Sequence, residues 1–117
     1  MVLPFLFSGC SAEDWTAKLH IVKAEDYVTK AYQLKSKKMP YEQRIDLYRR
    51  ACDEYSRAYE INPDVFTFMR IEEAADTCWK AENKLEEAKF LAFKETYIKA
   101  HPTEAEYGGD AAMMPMG

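Results

Sequence analysis

The residues of this chain with chemistry to offer are three cysteines, two histidines, a crowd of acids near the middle and a methionine-rich end. His20 and His101 have no second ligand at zinc-site spacing and no carboxylate at the spacing of a carboxylate–histidine pair, so both read as solvated surface residues. Glu72, Glu73 and Asp76 fall within five residues, but a run of uncompensated acids at helical spacing is ordinarily a wet face. Met113, Met114 and Met116 carry thioethers that suit a soft metal such as Cu(I); the competing reading is a loose tail. There is no Gly-rich phosphate loop, no His-Glu-x-x-His and no Cys-x-x-Cys. The expectation is therefore a chain that is not an enzyme, with no catalytic residues, no metal site and no cofactor.

Composition narrows the class. The 117 residues are 48% hydrophobic and 14% aromatic, enough for one modest packed domain. Sixteen Lys and Arg against twenty Asp and Glu leave a net charge of -4, which supplies no field toward nucleic acid or an anionic membrane. Between the ends, where several of the four Gly and five Pro lie, Ala, Leu, Glu, Lys, Arg and Gln dominate, a helical mixture. No apolar run reaches the ~18 residues of a membrane-spanning helix.

Four helices must position whatever these residues do. The first opens after Ser11, Ala12, Glu13 and Asp14, which suit a helix N-terminus, and carries Trp15, Leu19 and Val22 at helical spacing, continuing less regularly through Tyr27, Val28, Ala31 and Leu34. Lys35–Lys38 and Pro40 close it, and Pro40 suits the start of the next. The second has the cleanest stripe, Ile45, Tyr48, Cys52, Tyr55 and Tyr59, with Arg49, Asp53 and Arg57 placed for i,i+4 ion pairs. Asn62, Pro63 and Asp64 separate it from a third helix with Phe68, Ile71, Ala75 and Cys78 on one stripe and Trp79 beside it. A fourth runs from Leu85 to the His101-Pro102 pair. The fold class that follows is all-α, two stacked antiparallel helical hairpins over residues 12–102, with residues 1–11 as a leader and linker and residues 103–117 as a flexible tail.

Two resemblances sharpen this. Met1 to Phe7 is apolar and uncharged and is followed by Ser8, Gly9 and Cys10; the segment resembles a bacterial lipobox, although Phe7 stands where that family has Leu. The resemblance implies that Cys10 is the lipidated first residue of a mature envelope lipoprotein, so that the membrane is reached only through a lipid anchor. The alternative is a hydrophobic staple packed on the first helix, in a protein of the cytoplasm.

The second resemblance lies in Leu47 to Pro63. Tyr48, Ala51, Tyr55, Ala58 and Pro63 fall at the spacing of the second helix of a tetratricopeptide repeat, where small residues let helices approach and aromatics fill the space to the next hairpin. Trp79, Leu85 and Ala88 begin a second, more diverged unit. The resemblance covers about residues 40–102; a plain four-helix bundle is the alternative.

What the resemblance implies is a protein-binding or scaffold function for a protein or peptide partner. It places Arg70, Glu73, Thr77 and Lys80 on the first helix of a unit, the one that lines the concave groove in that family. If Cys10 is lipidated, Cys52 and Cys78 lie in an oxidising compartment on helices that face each other in stacked hairpins; they are either a disulfide or two small buried hydrophobes. Two units are fewer than the three that repeat arrays usually need, so either the first helix caps the core or the stack is completed by a homodimer or by docking on a partner, with Phe90, Phe93 and Tyr97 as the contact unless they lie under a neighbouring helix. The rival functions are an intracellular helical assembly module and a small metal-holding bundle.

Overall fold

A computed structural model describes residues 12–102. Helix α1 spans Ala12–Ser36, α2 Tyr41–Ile61, α3 Phe68–Lys80 and α4 Lys84–Ala100, with a short 3-10 helix at Pro63–Val65 between α2 and α3. α1 packs along α2, α3 along α4, and α2 joins the pairs through α3, so the domain is two stacked antiparallel helical hairpins. Cys10 and the methionines of residues 113–116 lie outside the described residues.

The α1–α2 seam is made by small side chains. Ala17, Ala24 and Ala31 on α1 and Ala51 and Ala58 on α2 are all buried, with Ile21 among them. Alanine on both sides removes the ridges that would hold two helices apart, so the backbones can approach closely. The first half of the expected α1 stripe is on the wrong face: Trp15, at 60% exposure, Leu19 and Val22 face outward and Ala17, Ile21 and Ala24 are buried instead, whereas in the second half Ala31 is buried and Tyr27 and Val28 pack partly against the core. Both sets repeat every three or four residues. The face opposite an alanine-rich helix decides between them.

On α2 and α3 the expected stripes are the buried ones, except at Trp79, which is 61% exposed. The expected Arg49–Asp53–Arg57 ladder is replaced by other partners. Arg49 donates to the Ala81 carbonyl and Arg57 pairs with Glu54, while the i,i+4 pair on this helix is Asp46–Arg50.

Each hairpin turn is closed the same way. Lys38 and Glu82 adopt positive φ (63° and 60°), Met39 N–H reaches back to the Leu34 carbonyl, and Asn83 N–H to the Cys78 carbonyl. This is the left-handed helix stop that glycine usually supplies, made here by a lysine and a glutamate. Asn83 then caps α4 through Glu86 N–H, as Thr67 caps α3 through Arg70 N–H.

The hairpins are locked by an aromatic cluster. Tyr59 at the end of α2, Phe66 in the connection, and Phe90 and Phe93 on α4 have ring centroids 4.9–6.3 Å apart, mostly edge to face. Phe90 is fully buried, Phe93 and Tyr97 are partly buried, and Tyr97 lies on Phe68 and His101. These three residues are therefore part of the core and not the outward contact face expected of them. The exposed apolar side chains at this end are Trp79, Leu85 (77% exposed) and Leu91. Leu85 and Ala88, expected to open a packed second helix, both face away from the core.

Candidate functional groove

α1 and α3 run side by side in the same direction on one flank of α2: Glu25 meets Arg70 at 4.0 Å, and seven residues further along α1, Tyr32 meets Lys80. Between them is a recess of about 260 Å³. Glu25, Val28, Thr29 and Tyr32 form its α1 wall. Glu73, Asp76 and Thr77 form the α3 wall, and Tyr55 of α2 forms the floor.

The four residues expected on a groove, Arg70, Glu73, Thr77 and Lys80, do sit together along this flank of α3. Glu73 and Thr77 line the recess itself, Thr77 buried and Glu73 at the rim. Arg70 and Lys80 stand at its two ends and have partners of their own. Arg70 Nη1 donates to the Val65 carbonyl at 3.1 Å, and Lys80 Nζ donates to Tyr32 Oη at 2.8 Å and pairs with Asp76 at 2.9 Å. Lys80 also lies over the Tyr32 ring at 5.0 Å. Partial burial pulls the Lys80 ammonium down, but its hydrogen bonds to Tyr32 and Asp76 outweigh that and hold it above its ordinary range.

The α1 half of the wall was not legible from spacing, because nothing in residues 25–32 announces which later helix they will face. Tyr55 was legible only as a packing residue of α2. It is 1% exposed, and its hydroxyl has no hydrogen-bond partner among the described residues. No fully enclosed side-chain nitrogen or oxygen is left unpaired among those residues, so what remains accessible of Tyr55 is its hydroxyl, at the floor of the recess. Burial first, then Glu73 and Glu25, raise the phenol well above its ordinary value against the pull of Arg70, so the group stays neutral.

Glu73 titrates high as well, first from partial burial and then from Glu25, with Arg70 opposing. A carboxyl whose folded-state pKa is raised binds its proton more tightly in the folded chain than in the unfolded one. Its contribution is therefore most favourable when protonated, and stability falls as pH rises from the ordinary carboxylate range through the raised value. Glu73→Gln is expected to flatten that slope and to leave stability at neutral pH unchanged or slightly higher, within about 0.5 kcal/mol. Urea midpoints measured from mildly acidic to neutral pH test this; a Gln variant clearly weaker at neutral pH would contradict it.

Elsewhere the chemistry is structural. Cys52 and Cys78, both fully buried, form a disulfide between α2 and α3 with Cα atoms 4.9 Å apart. His20, expected in solvent, is half-buried and meets Glu54 at 2.5 Å across the α1–α2 seam. Their separation of 34 positions puts this pair beyond any local pattern. His101 is exposed, bonds the Tyr97 carbonyl and stacks on the Tyr97 ring. Among the described residues no three His, Cys, Asp or Glu side chains gather to hold a metal ion, and no helix is long and apolar enough to cross a membrane.

Comparison with protein-family models, with curated proteins and with solved structures finds no match to this chain.

Proposed function

We propose that the chain is a protein-interaction module that holds a segment of a partner in the groove between α1 and α3, acting as a scaffold or adaptor on tetratricopeptide-like hairpins. The observation that carries this is the parallel alignment of α1 and α3 over a floor made by α2. In tetratricopeptide proteins the first helices of successive units line the binding surface in this way. The buried set Tyr48, Ala51, Tyr55 and Ala58 supports the same reading, as does the shared closure of the two hairpin turns.

The protein is further proposed to work at a bacterial envelope, facing the periplasm and anchored by a lipid on Cys10. The Cys52–Cys78 disulfide supports an oxidising compartment, since such bonds are rare where thiols are kept reduced. Incorporation of labelled palmitate that disappears in Cys10→Ala is the expected result; a full-length chain that keeps Met1 and stays in the cytosol would refute the envelope assignment.

The groove is tested by placing a photo-crosslinking residue at Thr29, on the groove wall, and at Arg50, on the outer face of α2. A partner protein should be captured from Thr29 and not from Arg50. Capture from Arg50 alone would move the binding surface elsewhere.

A further inference from the structure

We infer that the groove receives a lysine or arginine side chain of the bound partner, with its cationic head between Glu25 and Glu73 and its N–H donated to the Tyr55 hydroxyl. This rests on the groove being a binding site, as proposed above, and specifies what that site recognises.

Charge comes first. Every charged residue lining the recess is an acid: Glu25, Glu73 and Asp76. The two nearby cations stand at its ends, Lys80 held by Asp76 and Tyr32, Arg70 by the Val65 carbonyl and Glu25. Glu73 has neither an ion pair nor a hydrogen bond among the described residues. The interior of the groove therefore holds one carboxylate more than its cations balance, and a second carboxylate, Glu25, is engaged only at 4.0 Å. A ligand anion would add repulsion, whereas a cation relieves the repulsion already there.

Tyr55 supplies an independent reason. Its side chain is almost wholly enclosed, and its hydroxyl has no hydrogen-bond partner among the described residues. Tyr55 lines the recess, so a group seated there can reach it. It stays neutral, so its oxygen has lone pairs free to accept from an ammonium or guanidinium. Glu25, Glu73 and Tyr55 come from three different helices and line the same recess, with no hydrogen bond among them.

Size and shape select a side chain. At about 260 Å³ the recess is smaller than the roughly 300–1,000 Å³ typical of small-molecule sites. Val28 offers an apolar wall for the methylene stem of lysine or arginine, which such residues lay along apolar surface while the charged head reaches polar groups. Charge-assisted bonds to a carboxylate in a partly enclosed site are stronger than neutral ones, and arginine can engage a carboxylate through two parallel N–H groups.

The test uses the full-length isotope-labelled chain and three decapeptide pools. Each pool is randomised over alanine, leucine, serine and tyrosine, with a central arginine, its uncharged isostere citrulline, or glutamate. The arginine pool is expected to shift the amides of residues 25–32 and 73–77 and to bind about tenfold or more tightly than the citrulline pool. Glu73→Gln, which keeps the fold, should remove most of that difference, and Tyr55→Phe should reduce arginine binding several-fold. Equal binding of arginine and citrulline at the groove, or a preference for arginine that survives Glu73→Gln, overturns the inference while leaving the groove as a binding site. Shifts confined to other surfaces with all three pools overturn both. Spermidine that shifts the same amides as strongly as the arginine pool would make this a free-polyamine site and also overturns the inference.

Discussion

Reduction of the Cys52–Cys78 disulfide is expected to lower the stability of the domain by about 3 to 4 kcal/mol. The bond closes a loop of 26 residues that contains the end of α2, the 3-10 helix, the Phe66 connection and most of α3. Cross-linking a loop of that size removes close to this amount of chain entropy from the unfolded ensemble. A domain of this length has roughly 5–15 kcal/mol in total, so the reduced protein should lie near the edge of folding at physiological temperature. Urea unfolding with and without reductant measures the difference. The double variant Cys52→Ala, Cys78→Ala should behave like the reduced protein, with a further small loss from the two sulfur-sized voids. Two free thiols by mass spectrometry of the non-reduced protein, or a midpoint that reductant leaves unmoved, would refute the expectation.

Phe90→Ala should cost about as much, roughly 3–5 kcal/mol, by a different mechanism. Phe90 is fully buried, with the Tyr59 ring 5.8 Å and the Phe66 ring 5.7 Å away, and it is the point where α4 is fastened to the rest of the domain. Truncation leaves a cavity that the Tyr59 and Phe66 rings, held on α2 and in the connection, cannot readily collapse into. Phe90→Leu should recover more than half of the loss because it refills most of the volume. Trp79→Ala supplies the contrast: the side chain is larger, but it is mostly exposed, and its removal should change stability by no more than about 0.5 kcal/mol. Thermal or chemical denaturation of the three variants decides this. A loss at Trp79 comparable to that at Phe90 would mean that α4 is docked differently.

These two sites also mark where local pattern fails. Cys52 and Cys78 could be placed on facing helices from the sequence, because each belongs to a stripe whose burial is enforced by its neighbours: Tyr48, Tyr55 and Ala58 on one helix, Phe68, Ile71 and Ala75 on the other. Whether they meet depends on the rotation of one helix about the other, and that is a property of the packed pair. Phe90 and Trp79 show the same limit with opposite outcomes. Both are large aromatics in amphipathic helices, and only the docking of α4 against Tyr59 and Phe66 decides that one is enclosed and the other faces water. Phe66 itself belongs to no periodic stripe. It sits in a connection, where hydrophobic spacing carries no information about burial.

The groove divides in the same way. Arg70, Glu73, Thr77 and Lys80 share one flank of α3 because three- and four-residue steps put them there, and no tertiary contact is needed to say so. Glu25, Thr29 and Tyr32 share a flank of α1 for the same reason, yet that flank had no visible significance. Trp15, Leu19 and Val22 advertised a different face as the packing one, and only the alanine seam with α2 turns residues 25–32 toward α3.

What the sequence by itself determined is therefore the number and approximate ends of the helices, the all-α class, and the internal faces of α2 and α3. Those follow from proline, cap residues and periodicity, which act within a few residues. What only the tertiary structure decided is the rotation of α1, the burial of Phe90 over Trp79, the His20–Glu54 contact and the meeting of Glu25, Glu73 and Tyr55. Each of these sets side chains from separate helices against one another, and such contacts are fixed by how whole faces fit together, a condition no local stretch of chain contains.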